Sequence, residues 1–133
     1  ERVLAEARRV LRPGGRLLAS DVYAREPAGA RALAELPFAS CIRGAVDRDV
    51  LVAAVRRSGF EVEVWEDRSH ELRTFAAQLV WRGGSMRSFW CTAAASADPD
   101  AVEAAMRAAR PGYYLMVATA TVNPSARKPC SVR

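Results

Sequence analysis

The amino-acid sequence predicts an α/β layered fold, with helices packed on the faces of a sheet. Three observations predict it. Helical and strand-like patterns alternate along the chain in the order helix, strand, helix, strand, helices, strand. The first strand-like run is continuously apolar, the pattern of a parallel strand covered on both faces. And 133 residues with 50% hydrophobic content suffice to bury one core, without room for a second domain.

The first element is an amphipathic helix. Val3, Leu4, Ala7, Val10 and Leu11 recur at helical spacing with charges on the opposite face, and Pro13-Gly14-Gly15 stops the pattern abruptly. Residues 16–23 form the apolar run, which turns polar only at its carboxyl end, in Ser20-Asp21-Val22-Tyr23. Residues 24–41 carry a weaker signal: Pro27, Gly29 and Pro37 bracket a short helical stretch at 30–36 in an otherwise irregular connection. Connections of this kind often carry function.

Asp47 is placed to cap a helix with Val50, Leu51, Ala54 and Val55 on one face, and Ser58-Gly59 ends it. Phe60, Val62, Val64 and Trp65 alternate with Glu61, Glu63 and Glu66, which predicts a strand with one partly exposed face near a sheet edge. Helical spacing returns at 69–81 through Leu72, Phe75, Ala76, Leu79 and Val80, with Gly83-Gly84 behind it. Asp98-Pro99-Asp100 combines an N-cap, a proline in the first turn and an acidic residue at the positive helix end, so a helix runs from there to about Ala109. Pro111-Gly112 leads into a long β-prone run, 113–122, and the polar residues 123–133 predict a disordered tail.

Composition excludes several classes. No stretch approaches the roughly 18 apolar residues of a membrane helix, and no secretory signal is visible. The chain opens on Glu1 with a helix already under way, so sequence upstream is expected. Twenty basic against fifteen acidic residues give +5, but Lys128 is the one Lys, and most Arg alternate with Asp and Glu on helices. A solvated mixed-charge surface explains that balance better than a nucleic-acid footprint. Three cysteines, Cys41, Cys91 and Cys130, without CxxC spacing argue against a disulfide framework or a zinc ribbon and fit a reducing cytoplasm.

Ligands of open α/β sheets bind beyond the carboxyl ends of the strands. That rule points to Asp21, as an acceptor of hydrogen bonds or a cap of the following turn, and to Tyr23, as a hydroxyl and an aromatic wall. Cys41, in Cys41-Ile42-Arg43-Gly44-Ala45, lies in a loop expected on the same side. Its thiol reads as a soft ligand favoured by Arg43 and a helix start, or as a small buried hydrophobe. His70 stands among Glu66, Asp67 and Glu71, where a metal or acid/base cluster competes with a capping account in which Asp67 or Ser69 caps the helix. The capping account is preferred, and no metal site is expected. The Gly-Gly pairs fit neither GxGxxG nor GxxxxGK[ST].

The stretch Arg9-Val10-Leu11-Arg12-Pro13-Gly14-Gly15-Arg16-Leu17-Leu18, together with Ser20-Asp21-Val22-Tyr23, closely resembles the helix, PGG turn and fifth strand of class I S-adenosylmethionine-dependent methyltransferases. Ser58-Gly59-Phe60 is similar to the Gly-Phe pair before that fold's sixth strand. The resemblance implies the C-terminal part of a Rossmann-like methyltransferase sheet, strands five to seven, over residues 1–122. An antiparallel seventh strand would insert beside the fifth, and a helical insertion would span about 69–110. Ser20-Asp21-Val22-Tyr23 with the downstream Cys41-Ile42-Arg43-Gly44-Ala45 resembles the arsenite methyltransferase branch, whose matching Cys is one of the thiolates that hold trivalent arsenic.

The resemblance further implies a methyl transfer from S-adenosylmethionine to a small-molecule or soft metalloid acceptor, with Cys41, Asp21 and Tyr23 on the substrate side. The glycine-rich cofactor loop and the acidic ribose residue of the family have no counterpart here, so no catalytic or cofactor residue is named. A missing N-terminal half would be the chain's partner and hold most of the cofactor site. The alternative is a non-catalytic interaction module that pairs through an exposed sheet edge.

Overall fold

The computed structural model describes residues 2–93 and 97–121; the expected tail at 123–133, with Cys130, lies outside them. The elements are α1 (Arg2–Val10), β1 (Arg16–Ala24), α2 (Pro27–Ala34), a 3₁₀ turn (Cys41–Gly44), α3 (Arg48–Arg57), β2 (Phe60–Asp67), α4 (Ser69–Gly83), α5 (Met86–Ala93), α6 (Pro99–Ala109) and β3 (Pro111–Ala120).

The three strands form one sheet in the order β1-β3-β2. β3 runs antiparallel to both neighbours, with Ala19 opposite Met116 on one side and Phe60 opposite Ala120 on the other. The last strand is thus inserted between the first two, as the resemblance implies. β1 therefore departs from the fully covered parallel strand that its composition suggests. Among the described residues its one strand partner is the antiparallel β3, its other edge carries only an isolated bridge from Ala24 to Asp47, and Leu18 is 67% exposed.

Side-chain alternation divides the sheet into two faces. On one face Leu17, Ala19 and Tyr23 of β1 join Tyr114, Met116, Ala118 and Ala120 of β3, and α1 (Leu4, Ala7) and α3 (Leu51, Val55) pack onto them. Val3 and Val10, expected on the buried stripe of α1, are exposed instead. In β2 a register irregularity between Val62 and Val64 flips the alternation, so Trp65 rather than Val64 joins Phe60 and Val62 in this core.

On the other face α2, α5 and α6 build a second core around Leu33, Trp90, Val102 and Ala105, into which Val22 and Ala24 of β1 reach. α2 begins at Pro27, which occupies the first helical turn rather than bracketing the helix, three residues earlier than its spacing suggests. Gly29 explains the close approach of α2 to α6: a Cβ there would lie 2.3 Å from backbone atoms of Ala108 and Ala109. The caps at Asp47 and Asp98 form as expected, each carboxylate accepting backbone N–H groups of the following turn.

Candidate active-site cavity

α4 leaves β2 at its carboxyl end and crosses the second face of the sheet beside α5. Its apolar positions do not close on a core. Leu72, Phe75, Ala76 and Leu79 line one wall of a cavity of about 270 Å³. The facing walls are Val22 of β1, Phe38, Ser40 and Cys41 of the connection, Met86, Phe89 and Trp90 of α5, and Met106 of α6. Phe38 and Phe89 both lean on Trp90, with ring centroids at 5.9 and 4.9 Å. The cavity lies next to the carboxyl end of β1, the position where open α/β sheets hold their ligands.

Cys41 opens the 3₁₀ turn. Ser40 precedes it in extended conformation and its hydroxyl accepts the Ile42 N–H at 3.4 Å, which turns the chain and leaves the Cys41 thiol exposed on the cavity wall. Arg43 is directed away, its guanidinium donating to the Ala34 carbonyl at 3.2 Å. Asp21 and Tyr23 do not line this cavity. The Asp21 carboxylate is exposed and accepts the N–H of its own neighbour Val22 at 2.7 Å. Tyr23, one residue past Val22, points to the opposite face, where its ring stands edge-on to Trp65 and Tyr114.

The Tyr23 hydroxyl donates to Asp67 Oδ2 at 3.0 Å, and the Ser69 N–H donates to Asp67 Oδ1 at 2.8 Å. Ser69 Oγ in turn accepts the Tyr113 N–H at 3.2 Å. Hydrogen bonds from Ser69, then from Tyr23, hold the Asp67 carboxyl below the ordinary carboxylate range, while burial and then Asp67 push the Tyr23 phenol up. Asp67 thus ties the start of α4 to the sheet, although neither Asp67 nor Ser69 is the cap: that position is Arg68, whose side chain makes no capping bond. His70 is exposed, 3.9 Å from Glu71, and among the described residues no three His, Cys, Asp or Glu side chains gather as a metal site.

Three arginines surround a second, shallower pocket beside the first. Arg25, Arg73 and Arg110 line it with Ser69 and Pro111, and Pro111 also borders the apolar cavity. Their distance in sequence, on three different elements, concealed this cluster from a reading by motif. The apolar cavity was equally hidden, because the residues of α4 that line it have the spacing of a core stripe.

The turns leaving the carboxyl ends of β1 and β2, Arg25-Glu26-Pro27 and Arg68-Ser69, hold no glycine. The nearby glycines are packed: at Gly29 a Cβ would meet the Ala108 and Ala109 backbone at 2.3 Å, and at Gly112 it would meet the Tyr23 ring at 2.5 Å and Ser69 Oγ at 2.7 Å. The described residues therefore do not offer a glycine-lined cradle that could accept S-adenosylmethionine.

The inserted antiparallel strand and the helices on both faces define the class: an α/β fold with the arrangement that the class I methyltransferase resemblance implies for strands five to seven. The chain is similar to the crystal structure of the [4+2]-cyclase SpnF, with 25% identity and a TM-score of 0.53 over 92% of this chain and 44% of that one. Two more solved structures are similar to it. One is CrArsM, an arsenic(III) S-adenosylmethionine methyltransferase from Chlamydomonas reinhardtii, with 22% identity and a TM-score of 0.46 over 92% of this chain and 33% of that one. The other is YjhP from E. coli, with 14% identity and a TM-score of 0.42 over 86% and 49%. The chain spans less than half the length of each of them. Its sequence matches no family model and no curated protein. No helix among the described residues is long and apolar enough to cross a membrane.

Proposed function

We propose that this chain is the acceptor-binding, C-terminal part of a methyltransferase that uses S-adenosylmethionine, acting on a small-molecule acceptor. The observation that carries this reading is the apolar cavity beside the carboxyl end of β1, in a fold whose ligands gather at that end. The helices at 69–109 serve as an insertion that roofs the cavity. The cofactor is held by residues outside this chain, which has no cradle for it among its described residues.

Two features support a missing half of the domain as the partner. Among the described residues β1 is an edge strand whose outer side is bridged only at Ala24, and the part of the second sheet face around Leu18, Leu115 and Val117 is left partly exposed. The chemistry of the chain's own residues is then to bind and orient the acceptor and to keep water from it. Cys41 contributes a thiol to the wall, Val22 contributes the sheet floor, and Asp21 and Tyr23 act on either side of Val22, Tyr23 by anchoring β1 to Asp67. Calorimetry with S-adenosylmethionine tests the division of labour. Binding is expected for the protein that includes the upstream sequence and not for this chain by itself; micromolar binding by this chain would sink the proposal.

A soft metalloid acceptor is a second reading, favoured by the exposed thiol of Cys41 on the cavity wall. A Cys41→Ser variant of the longer protein that bound phenylarsine oxide unchanged would remove it.

A further inference from the structure

The apolar cavity and the arginine pocket are neighbours built from the same elements. On α4, Leu72 and Ala76 face the cavity, while Ser69 and Arg73 face the arginine pocket. Met106 of α6 lines the cavity, and Arg110, the left-handed residue that ends the helix, lines the pocket. On α4 each step from a cavity residue to a pocket residue is about one helical turn, roughly 5 Å along the axis. Pro111 borders both. The two pockets thus lie on either side of Pro111, close enough for one molecule of modest length to contact both.

The chemistry of the two halves is opposite. The cavity is walled by aromatic and aliphatic side chains, with Ser40 and Cys41 as its polar ones. The pocket, of about 270 Å³, is lined by three arginines around Ser69, at the positive end of α4. Arg25 and Arg73 make no ion pair within 4 Å among the described residues, whereas Arg110 pairs with Glu26 at 3.2 Å. Arg25 also feels Asp67, whose carboxyl it helps to hold ionised. Like charges converging on one pocket repel, and an anion bound between them relieves that repulsion through charge-assisted hydrogen bonds of fixed fork geometry.

We propose that the acceptor is an amphiphile: an apolar, ring-bearing body that fills the cavity and an oxyanion head group, carboxylate or phosphate, held by Arg25, Arg73 and Arg110. The inference rests on the reading of the cavity as an acceptor site, but its test does not need the cofactor. Binding of 2-naphthol, 2-naphthoate and 2-naphthyl phosphate to the protein is measured by calorimetry without S-adenosylmethionine.

At least one of the two anionic probes binds about tenfold or more tightly than 2-naphthol, the equivalent of one good charge-assisted contact; which of them gains more tells a carboxylate from a phosphate head group. Arg73→Gln, an exposed change without an ion pair to lose, abolishes the anionic preference and leaves 2-naphthol binding as it was. Phe75→Asp, at a 54% exposed position on the cavity wall, weakens all three probes by about tenfold. Equal affinity for all three probes, or an anionic preference that survives Arg73→Gln, overturns the head-group assignment. Failure of every probe to bind a protein with an unchanged circular dichroism spectrum overturns the cavity as a site. Probe binding by a protein whose longer form transfers no methyl group would leave this inference standing and defeat the proposed function instead.

Discussion

The two faces of the sheet use the same strands and reach opposite ends. On one face Tyr23, Trp65 and Tyr114 fill the space beneath α1 and α3. Trp65 stacks on Tyr114 at 4.5 Å between centroids, and Tyr23 closes the cluster edge-on at 5.5 and 6.2 Å. On the other face the residues between the sheet and α4 leave a cavity. The difference turns on adjacent positions: Val22 ends in the open side and Tyr23 in the filled side. A pleated strand gives a filled core to one face and a cavity to the other only if the covering helices differ. Val55 of α3 is fully buried against the first face, whereas α4 meets β3 at its tethered start and its apolar residues Leu72, Phe75, Ala76 and Leu79 open onto the cavity opposite α5.

The contrast makes graded predictions. Phe60, 1% exposed in the filled core, should cost the most: Phe60→Ala is expected to lower stability by about 3–5 kcal/mol in chemical denaturation, the range for emptying a packed aromatic site. A loss under about 1 kcal/mol would mean that the first face is not the tight one. Gly29→Ala comes next, because the added methyl meets backbone, which cannot yield as a flexible side chain can; a loss of about 1–3 kcal/mol and a displaced α2 are expected.

Tyr23→Phe removes one hydrogen bond and leaves Asp67 with Ser69 alone, for a loss of about 1 kcal/mol. The same network fixes a pH dependence. Because the Asp67 pKa is lowered on folding, its contribution is fully present above the unfolded carboxylate range, near pH 4, and is lost as pH falls through the lower folded value. Melting temperatures measured between pH 6 and pH 2 should fall less steeply in Asp67→Asn than in the unaltered protein. Smallest of all is Phe75→Ser on the cavity wall, expected to stay within about 0.5 kcal/mol because the ring is mostly in solvent. A large loss there would show that the cavity wall carries the fold and is not held open beside it.

Much of the fold was legible in local signals. Asp47 and Asp98 cap their helices, the Pro13-Gly14-Gly15 turn ends α1 ahead of β1, and the run into Ala120 is the central strand. These features depend on hydrogen bonds and backbone preferences within a few residues, which a sequence states directly. The short 3₁₀ turn that presents Cys41 is one local hydrogen bond, too short to show a periodicity, and Pro27 reads equally as a breaker or as a first-turn proline until the packing of α2 on α6 at Gly29 decides it.

Local sequence was enough to establish the alternation of helix and strand and to place Asp21, Tyr23 and Cys41 after the first strand, while the insertion of the last strand was implied by the family resemblance alone. Where those side chains go was decided in three dimensions. Strand pleating sends Val22 and Tyr23 to opposite faces, a register irregularity in β2 exchanges Val64 for Trp65, and three arginines far apart in sequence arrive around Ser69. An apolar stripe on a helix is the same pattern whether it closes on a core or lines a cavity. The distance at which neighbouring elements hold that helix separates the two cases, and that distance is fixed by contacts between residues far apart along the chain.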